Sequence, residues 1–414
     1  MRKYGFIAAS LLFLAPAASQ AKTLEELLVE KGVITRAEAS SASGAAQSKV
    51  YYNKGTNIDS GDSGITTKFN VGLQPRYTFS DNDDESGTPN VSSFDMNLAR
   101  VEMTGSAMDG EWEYILQGDW ARSGADRANT VNLSDAYVQW NNCDWSHIKF
   151  GQFKVGAGRQ YRVSDFAAQF ADRDTLATQA FNFGRQQGIA MGADLMDGRW
   201  TIGAGVYNGL SVGEGQNLPG VDRKHAGSVE TTFAIMGSQK RGVEGDIDHT
   251  EDFAWDVGGS YVYSDEDYPA TDTVAADRFK VTTISADTGM KYKGLSIVGE
   301  YYWQDIESDA RDDDVSDNGA YVQVGYFIQP KKWEIAGRWG LLSCDDESIY
   351  EACSGLGGAA LDDVNEVGAA INYYMMGHNL KAGLNYSRLD YDHVDTSIAS
   401  YKTNRWIFQV SSFF

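Results

Sequence analysis

The 414-residue chain has no long apolar run beyond its N-terminus, and its mean hydropathy is −0.39. A helix that crosses a bilayer needs about 20 predominantly apolar residues, so a helical membrane protein is excluded. A barrel is not excluded, because a polar lumen face dilutes the average hydropathy. Proline is scarce, six residues against 44 glycines, which suits strands joined by tight turns better than helices. Positive charge is short as well: 35 Lys and Arg stand against 58 Asp and Glu, for a net charge of −23. That balance excludes a nucleic-acid partner, whose recognition needs a basic surface. The five histidines (147, 225, 249, 378 and 393) are scattered without metal-ligand spacing, so no metal site and no cofactor are expected. Cysteine is limited to Cys143, Cys344 and Cys353. The last two are spaced for a local disulfide in an oxidising compartment, and the sequence leaves open whether they are joined.

What the chain does have begins with an export signal. Arg2 and Lys3 precede an apolar stretch through Leu14 and small residues to Ala21, so residues 1–21 read as a secretory signal peptide. Residues 22–64 read as a short helical periplasmic segment followed by a linker. Thr23 with Glu26 and Thr35 with Glu38 form capping boxes, and Gly32 stops the first helix. From Ser40 to Gly64 the composition is rich in Ser, Gly, Ala and Asn.

From residue 65 to 414 the period is two. Phe69, Val71, Leu73, Pro75, Tyr77 and Phe79 share one face; Lys68, Asn70, Gly72, Gln74, Arg76 and Thr78 share the other. A water-filled lumen opposite lipid explains six consecutive apolar positions beside an equally regular polar face that carries two cations. The final stretch, YKTNRWIFQVSSFF, alternates in the same way and is expected to close a barrel on Phe414. Similar runs are read at 93–108, 111–121, 131–141, 146–154, 185–196, 199–208, 227–237, 252–264, 278–291, 295–307, 319–330, 333–343, 364–376, 380–392 and 402–414. With 65–79 they give an all-β, 16-stranded antiparallel transmembrane β-barrel. Tight turns such as Asp109-Gly110, Asp197-Gly198 and Lys293-Gly294 alternate with long polar loops, as outer-membrane barrels require. Two places depart from this order. Residues 237–251 are too long for a short turn, and alternation slips near Ala99 and Arg100, where a bulge or a subunit contact is expected.

The longest insertion, 155–184, carries Phe166, Phe170, Leu176, Phe181 and Phe183, enough apolar matter to pack inside the barrel. It also places Arg159, Arg162 and Arg173 beside Asp165, Asp172 and Asp174, with Arg185 just after it. Folded inward, such a loop would set rings of charge across the path of a solute. Lys68, Arg76, Lys149 and Lys154 are the expected lumen-facing cations of the wall. Gly209-Leu-Ser-Val-Gly213 matches G-x-S-x-G but opens a loop in an all-β chain rather than a strand-to-helix turn, so no enzyme is expected. The acidic runs at 81–86, 309–314 and 345–348 lack the ligand spacing of a calcium loop and read as solvated charge.

Nearly the whole chain resembles the phosphate-selective porin family of the outer membrane, the O and P type. The resemblance rests on LLVEKGVIT, DMNLARVEMTGSAMDGEWEYILQGDWA, LSDAYVQW, IKFGQFKVG, the long third loop, and FNFGRQQGIAMGADLMDGRWTIGAGVYNG. It implies a homotrimer in the bacterial outer membrane, among lipid and lipopolysaccharide. It also implies a third loop folded into the pore and passive diffusion of small inorganic anions, phosphate among them. Arginine suits phosphate because its planar fork binds two oxygens at once. The arginine ladder and lysine cluster of the family have no match here, and the acidic loops would favour cations. A structural or adhesive barrel and a non-selective or cation-preferring porin are the alternatives.

Overall fold

The computed structural model describes residues 28–33, 35, 48–121, 131–174, 178, 181, 183–209, 222–268, 277–309, 314–345, 353, 360–395 and 397–414. The signal peptide, the first capping box, Glu38 of the second, Leu176, residues 210–213 and most of the acidic runs at 309–314 and 345–348 lie outside them. Within the N-terminal segment residues 28–30 are helical. Gly32 follows in the left-handed region, with the Val33 N–H donating to the Leu28 carbonyl.

Strands β1 (Lys49–Tyr52) and β2 (Thr56–Asp59) form a hairpin. The first half of the barrel is β3 (Thr66–Asn82), β4 (Val91–Ala107), β5 (Trp112–Asp119), β6 (Asn132–Cys143), β7 (Ser146–Lys154), β8 (Arg185–Leu195) and β9 (Trp200–Tyr207). After the short β10 (Asp222–Arg223) come β11 (Ala226–Met236), β12 (Ala254–Tyr268), β13 (Asp277–Tyr292), β14 (Leu295–Ser308) and β15 (Val315–Gln329). The chain ends with β16 (Trp333–Ser343), β17 (Leu361–Tyr374), β18 (Leu380–His393) and β19 (Tyr401–Phe413). Each barrel strand pairs antiparallel with the next, β9 passes directly to β11, and β19 returns to β3 with Trp406 opposite Phe79. The result is a closed barrel of 16 strands. β10 lies outside the count, added to the upper end of β12.

The faces follow the sequence parity. On β3, Asn70 and Gln74 are each 1% exposed, whereas Val71 is 50% and Leu73 41% exposed. The apolar side chains therefore point outward, as they must against hydrocarbon, and the polar ones point to the lumen. At the short-turn end the outer surface carries an aromatic belt, in which Trp112 stacks with Trp140 and Trp333 meets Tyr373. Two of the tight turns there are the same tripeptide, Met108-Asp109-Gly110 and Met196-Asp197-Gly198, with all three residues at positive φ. The left-handed backbone matches the twist of the strands it joins.

Three expectations need correction or an account. The segment 40–64 is not a linker throughout, because β2 pairs with the lower end of β3 where β19 has stopped. It satisfies the edge groups of Thr66–Phe69 that the barrel leaves open. The slip in 93–108 is a bulge: pairing jumps from Leu98 opposite Gln74 to Met96 opposite Pro75. The extra residue, Asn97, turns its amide onto Gln74 Oε1 at 2.8 Å. Residues 237–253 form a long connection at the short-turn end and run into the barrel interior, as described below.

Candidate functional site

The loop between β7 and β8 crosses the interior and touches most of the wall. Its first turn is set by Gly158, at φ +69, where an added Cβ would fall 2.8 Å from a Glu300 carboxylate oxygen. That turn aims two successive backbone N–H groups, of Arg159 and Gln160, at the Glu300 carboxylate on β14. The hydroxyls of Tyr302 and Tyr321 donate to the same carboxylate, Tyr302 at 3.0 Å. Further along, Glu334 on β16 accepts from Gln169 Nε2 at 2.6 Å, from the Tyr374 hydroxyl at 2.6 Å and from Asn372 Nδ2 at 3.2 Å. Arg338 pairs with Glu366 at 2.5 Å, with side chains 2% and 0% exposed. Its guanidinium also lies over the Phe170 ring and donates to the Asp172 carbonyl. Buried carboxylates are tolerated only with such multiple donors, and these bonds tie the loop to strands β14 to β17. Apolar contacts complete the attachment: Phe166 stacks on Phe413 of β19, and Phe181 stacks on Tyr302.

The expected constriction residues divide into two sets. Arg159 is 4% exposed and lies between Asp256 and Asp287, with Nη1 2.5 Å and 3.2 Å from their oxygens. Asp174 is fully buried, and its N–H donates to Gln160 Oε1 at 2.8 Å. These two belong to the attachment; burial removes them from the surface that a solute meets. Arg162, Asp165, Asp172, Arg173 and Arg185 keep side-chain exposures between 19% and 35%. They face away from that attachment, toward β3, β4, β6, β11 and β19. Arg162 pairs with Glu230 of β11, and Arg185 with Asp135 of β6 at 2.9 Å. Asp165 is shared by Arg173 at 2.6 Å and Arg100 at 3.0 Å. Asp172 is shared by Arg76 at 2.9 Å and Arg405 at 3.5 Å. Burial works against the charge of Asp165, but Arg173, Arg100, Lys154 and Arg185 outweigh it and hold the carboxyl well below its usual range.

The two lysines beside the loop differ from the arginines. Lys154 Nζ donates to the Tyr161 carbonyl at 2.6 Å and lies 4.9 Å from the Tyr161 ring centroid. Lys149 Nζ sits 4.7 Å from the Tyr137 ring and 5.3 Å from the Phe153 ring. Lys68 lies lower on β3, on the lumen parity, beside a cavity of about 380 Å³ lined also by Tyr51, Glu113 and Tyr137.

Sequence reasoning missed the wall carboxylates that hold the loop: Glu230, Asp256, Asp287, Glu300, Glu334 and Glu366. A signal existed. Each is an acid on the lumen parity of its strand, as Glu300 is between Val298 and Tyr302. Nothing in the sequence says that its partner lies some 140 residues away. Cys344 and Cys353 are joined in a disulfide, and Cys143 is a free thiol 3.1 Å from Ser146 Oγ. Asp317 lies near that disulfide, but sulfurs joined to each other are not thiolate ligands, so the group is no metal site.

Comparison with known proteins agrees with this architecture. A search of curated proteins finds no match. Among solved structures the chain resembles the outer-membrane channel DcaP of Acinetobacter baumannii, with TM-score 0.60 at 15% identity over 85% of this chain and 98% of that one. It also resembles OmpT of Vibrio cholerae in its trimer form, with TM-score 0.57 at 10% identity over 84% and 99% of the two chains. An anion-selective porin from Comamonas acidovorans gives 0.54 at 12% identity over 84% and 100%. At these identities the likeness is one of fold. The profile of the family described as phosphate-selective porin O and P, however, matches residues 69–406, nearly the entire barrel. The chain therefore belongs to the phosphate-selective porin O and P family and is an outer-membrane channel, not an enzyme.

Proposed function

We propose that this channel is passive and weakly anion-preferring, and that its solute path runs between the 155–184 loop and the wall of β3 to β8 with β19. The observation that carries the reading is the contrast between arginines and lysines along that path. Arg76, Arg100, Arg162, Arg173, Arg185 and Arg405 each have a carboxylate within ion-pair distance. Among the described residues no carboxylate lies within that distance of Lys68, Lys149 or Lys154, so these lysines are the positive groups of the path without a carboxylate partner. Paired arginines do not offer a free fork for a phosphate, which supports passage of small anions in general, phosphate included, without a dedicated phosphate site. Solute crosses by diffusion, and the fixed charges bias which ions enter the narrow zone. Copies of the chain assemble as a homotrimer, a reading supported by the trimer form of the similar OmpT fold. Lipid surrounds the apolar belt, and lipopolysaccharide meets the rim of the long loops.

The test is the reversal potential of purified protein in a planar bilayer under a KCl gradient, followed by phosphate titration. Chloride preference with little block by phosphate is expected. Cation preference would overturn the anion reading and transfer selectivity to the acidic outer loops. Absence of current would favour a structural or adhesive barrel.

A further inference from the structure

The connections at the short-turn end have two to five residues, except 237–253, which has 17. This segment does not hang outside the barrel. Asp246, 1% exposed, accepts from the N–H of Gly294 at 2.7 Å and from Thr250 Oγ1 at 2.6 Å, which pins the segment to the turn between β13 and β14. Arg241 donates to Asp256 at 2.6 Å and to Asp287 at 2.6 Å and 2.7 Å, the same two aspartates that hold Arg159. Two guanidiniums thus share two carboxylates, one from the loop and one from this segment. Val243 packs against Val163, Ala167 and Ala168 of the loop.

The centre of the contact is Glu244, 4% exposed. Its N–H donates to the Ala167 carbonyl at 3.0 Å. Its carboxylate accepts from the Gln169 N–H at 2.7 Å and from Gln160 Nε2 at 2.8 Å. Among the described residues no strand of the wall supplies an acceptor to the Gln169 N–H. We propose that residues 237–253 form a brace entering from the short-turn end, and that Glu244 is the positioning residue which fixes the middle of the 155–184 loop and thereby the width of the pore. The inference rests on the chain being a channel, not on its preference for anions.

The experiment compares the full-length protein with Glu244→Ala and Glu244→Gln by single-channel recording and by hydrogen exchange of the folded protein. In Glu244→Ala the Gln169 amide should exchange about tenfold faster or more, the factor that loss of one hydrogen bond to a charged group implies, while strand amides keep their protection. Open-channel noise and brief sub-conductance steps should rise with it. Glu244→Gln keeps the volume and one acceptor oxygen, so it should fold even where the alanine variant does not, and should show an intermediate effect. Lys240→Ala, at an exposed site paired only with Asp248, should match the unmodified protein in both readouts. Unchanged exchange at Gln169 in a folded Glu244 variant would overturn the brace. Because exchange is measured without current, that failure is distinct from a failure of the anion-channel reading.

Discussion

The two walls of the lumen use the same chemistry to opposite ends. Along β12 to β17, carboxylates and arginines meet almost without water: Glu366 and Arg338 are the extreme, and Glu300 and Glu334 each collect several neutral donors. Along β3 to β8 and β19 most such pairs remain partly hydrated, as Arg76 shows with Asp95, the latter side chain 38% exposed, although Arg100 is itself buried against Asp119. The first set is an attachment, because a desolvated charge cannot leave its partner without a large penalty. The second is, on the path proposed above, a lining, because a hydrated pair can exchange partners with a passing ion at small cost. One loop carries both sets along its two edges.

The sharpest way to break that comparison is to truncate one carboxylate on each wall. Glu366→Ala leaves Arg338 buried without its carboxylate and should cost about 3–5 kcal/mol. Asp95→Ala should cost about 1 kcal/mol or less. The midpoints of urea unfolding give both numbers, and equal shifts would dissolve the distinction between the walls.

A smaller effect separates net charge from paired charge. Lys149→Gln combined with Lys154→Gln should lower the anion-to-cation permeability ratio by roughly threefold or more, the scale on which fixed charge alters local ion concentration in a narrow path. Arg159→Gln should leave this ratio unchanged at the level of direct contact with solute and act instead through the loop's attachment. Reversal potentials that move for Arg159 and not for the lysines would place the filter on the other edge.

The smallest effect is in pH. With its pKa depressed by the surrounding cations, Asp165 stays charged across the range of about pH 4 to 8. Its contribution to stability is present above the unfolded value and is lost only as pH falls through the lower folded value. Conductance of the native protein and of Asp165→Asn should therefore differ by a constant offset over that interval. An offset that closes on approach to pH 4 would show an ordinary carboxyl.

How much was legible follows from the range of each interaction. Strand runs such as 65–79 and 295–307 were readable because alternation is local: a strand with lipid on one side and water on the other must repeat every two residues. The disulfide spacing of Cys344 and Cys353, the turns at Asp109-Gly110 and Asp197-Gly198, and the inward fold of an apolar 155–184 loop are local in the same sense. The hairpin at 49–59 was not readable, because its reason for being there is an open edge on β3 that exists only once β19 has closed the barrel and stopped at Phe413. The burial of Arg159 was not readable either. Its charge and position suited a filter, and only Asp256 and Asp287, brought near by the closed sheet, bury it.

The sequence by itself thus determined a 16-stranded barrel with a charged inner loop, since period, turn chemistry and composition act over neighbouring residues. Only the tertiary structure decided which charges of that loop are buried against the wall and which stay partly hydrated. That choice depends on desolvation by strands and a brace more than 60 residues distant in the chain, and distance through the chain carries no pattern that composition or period can report.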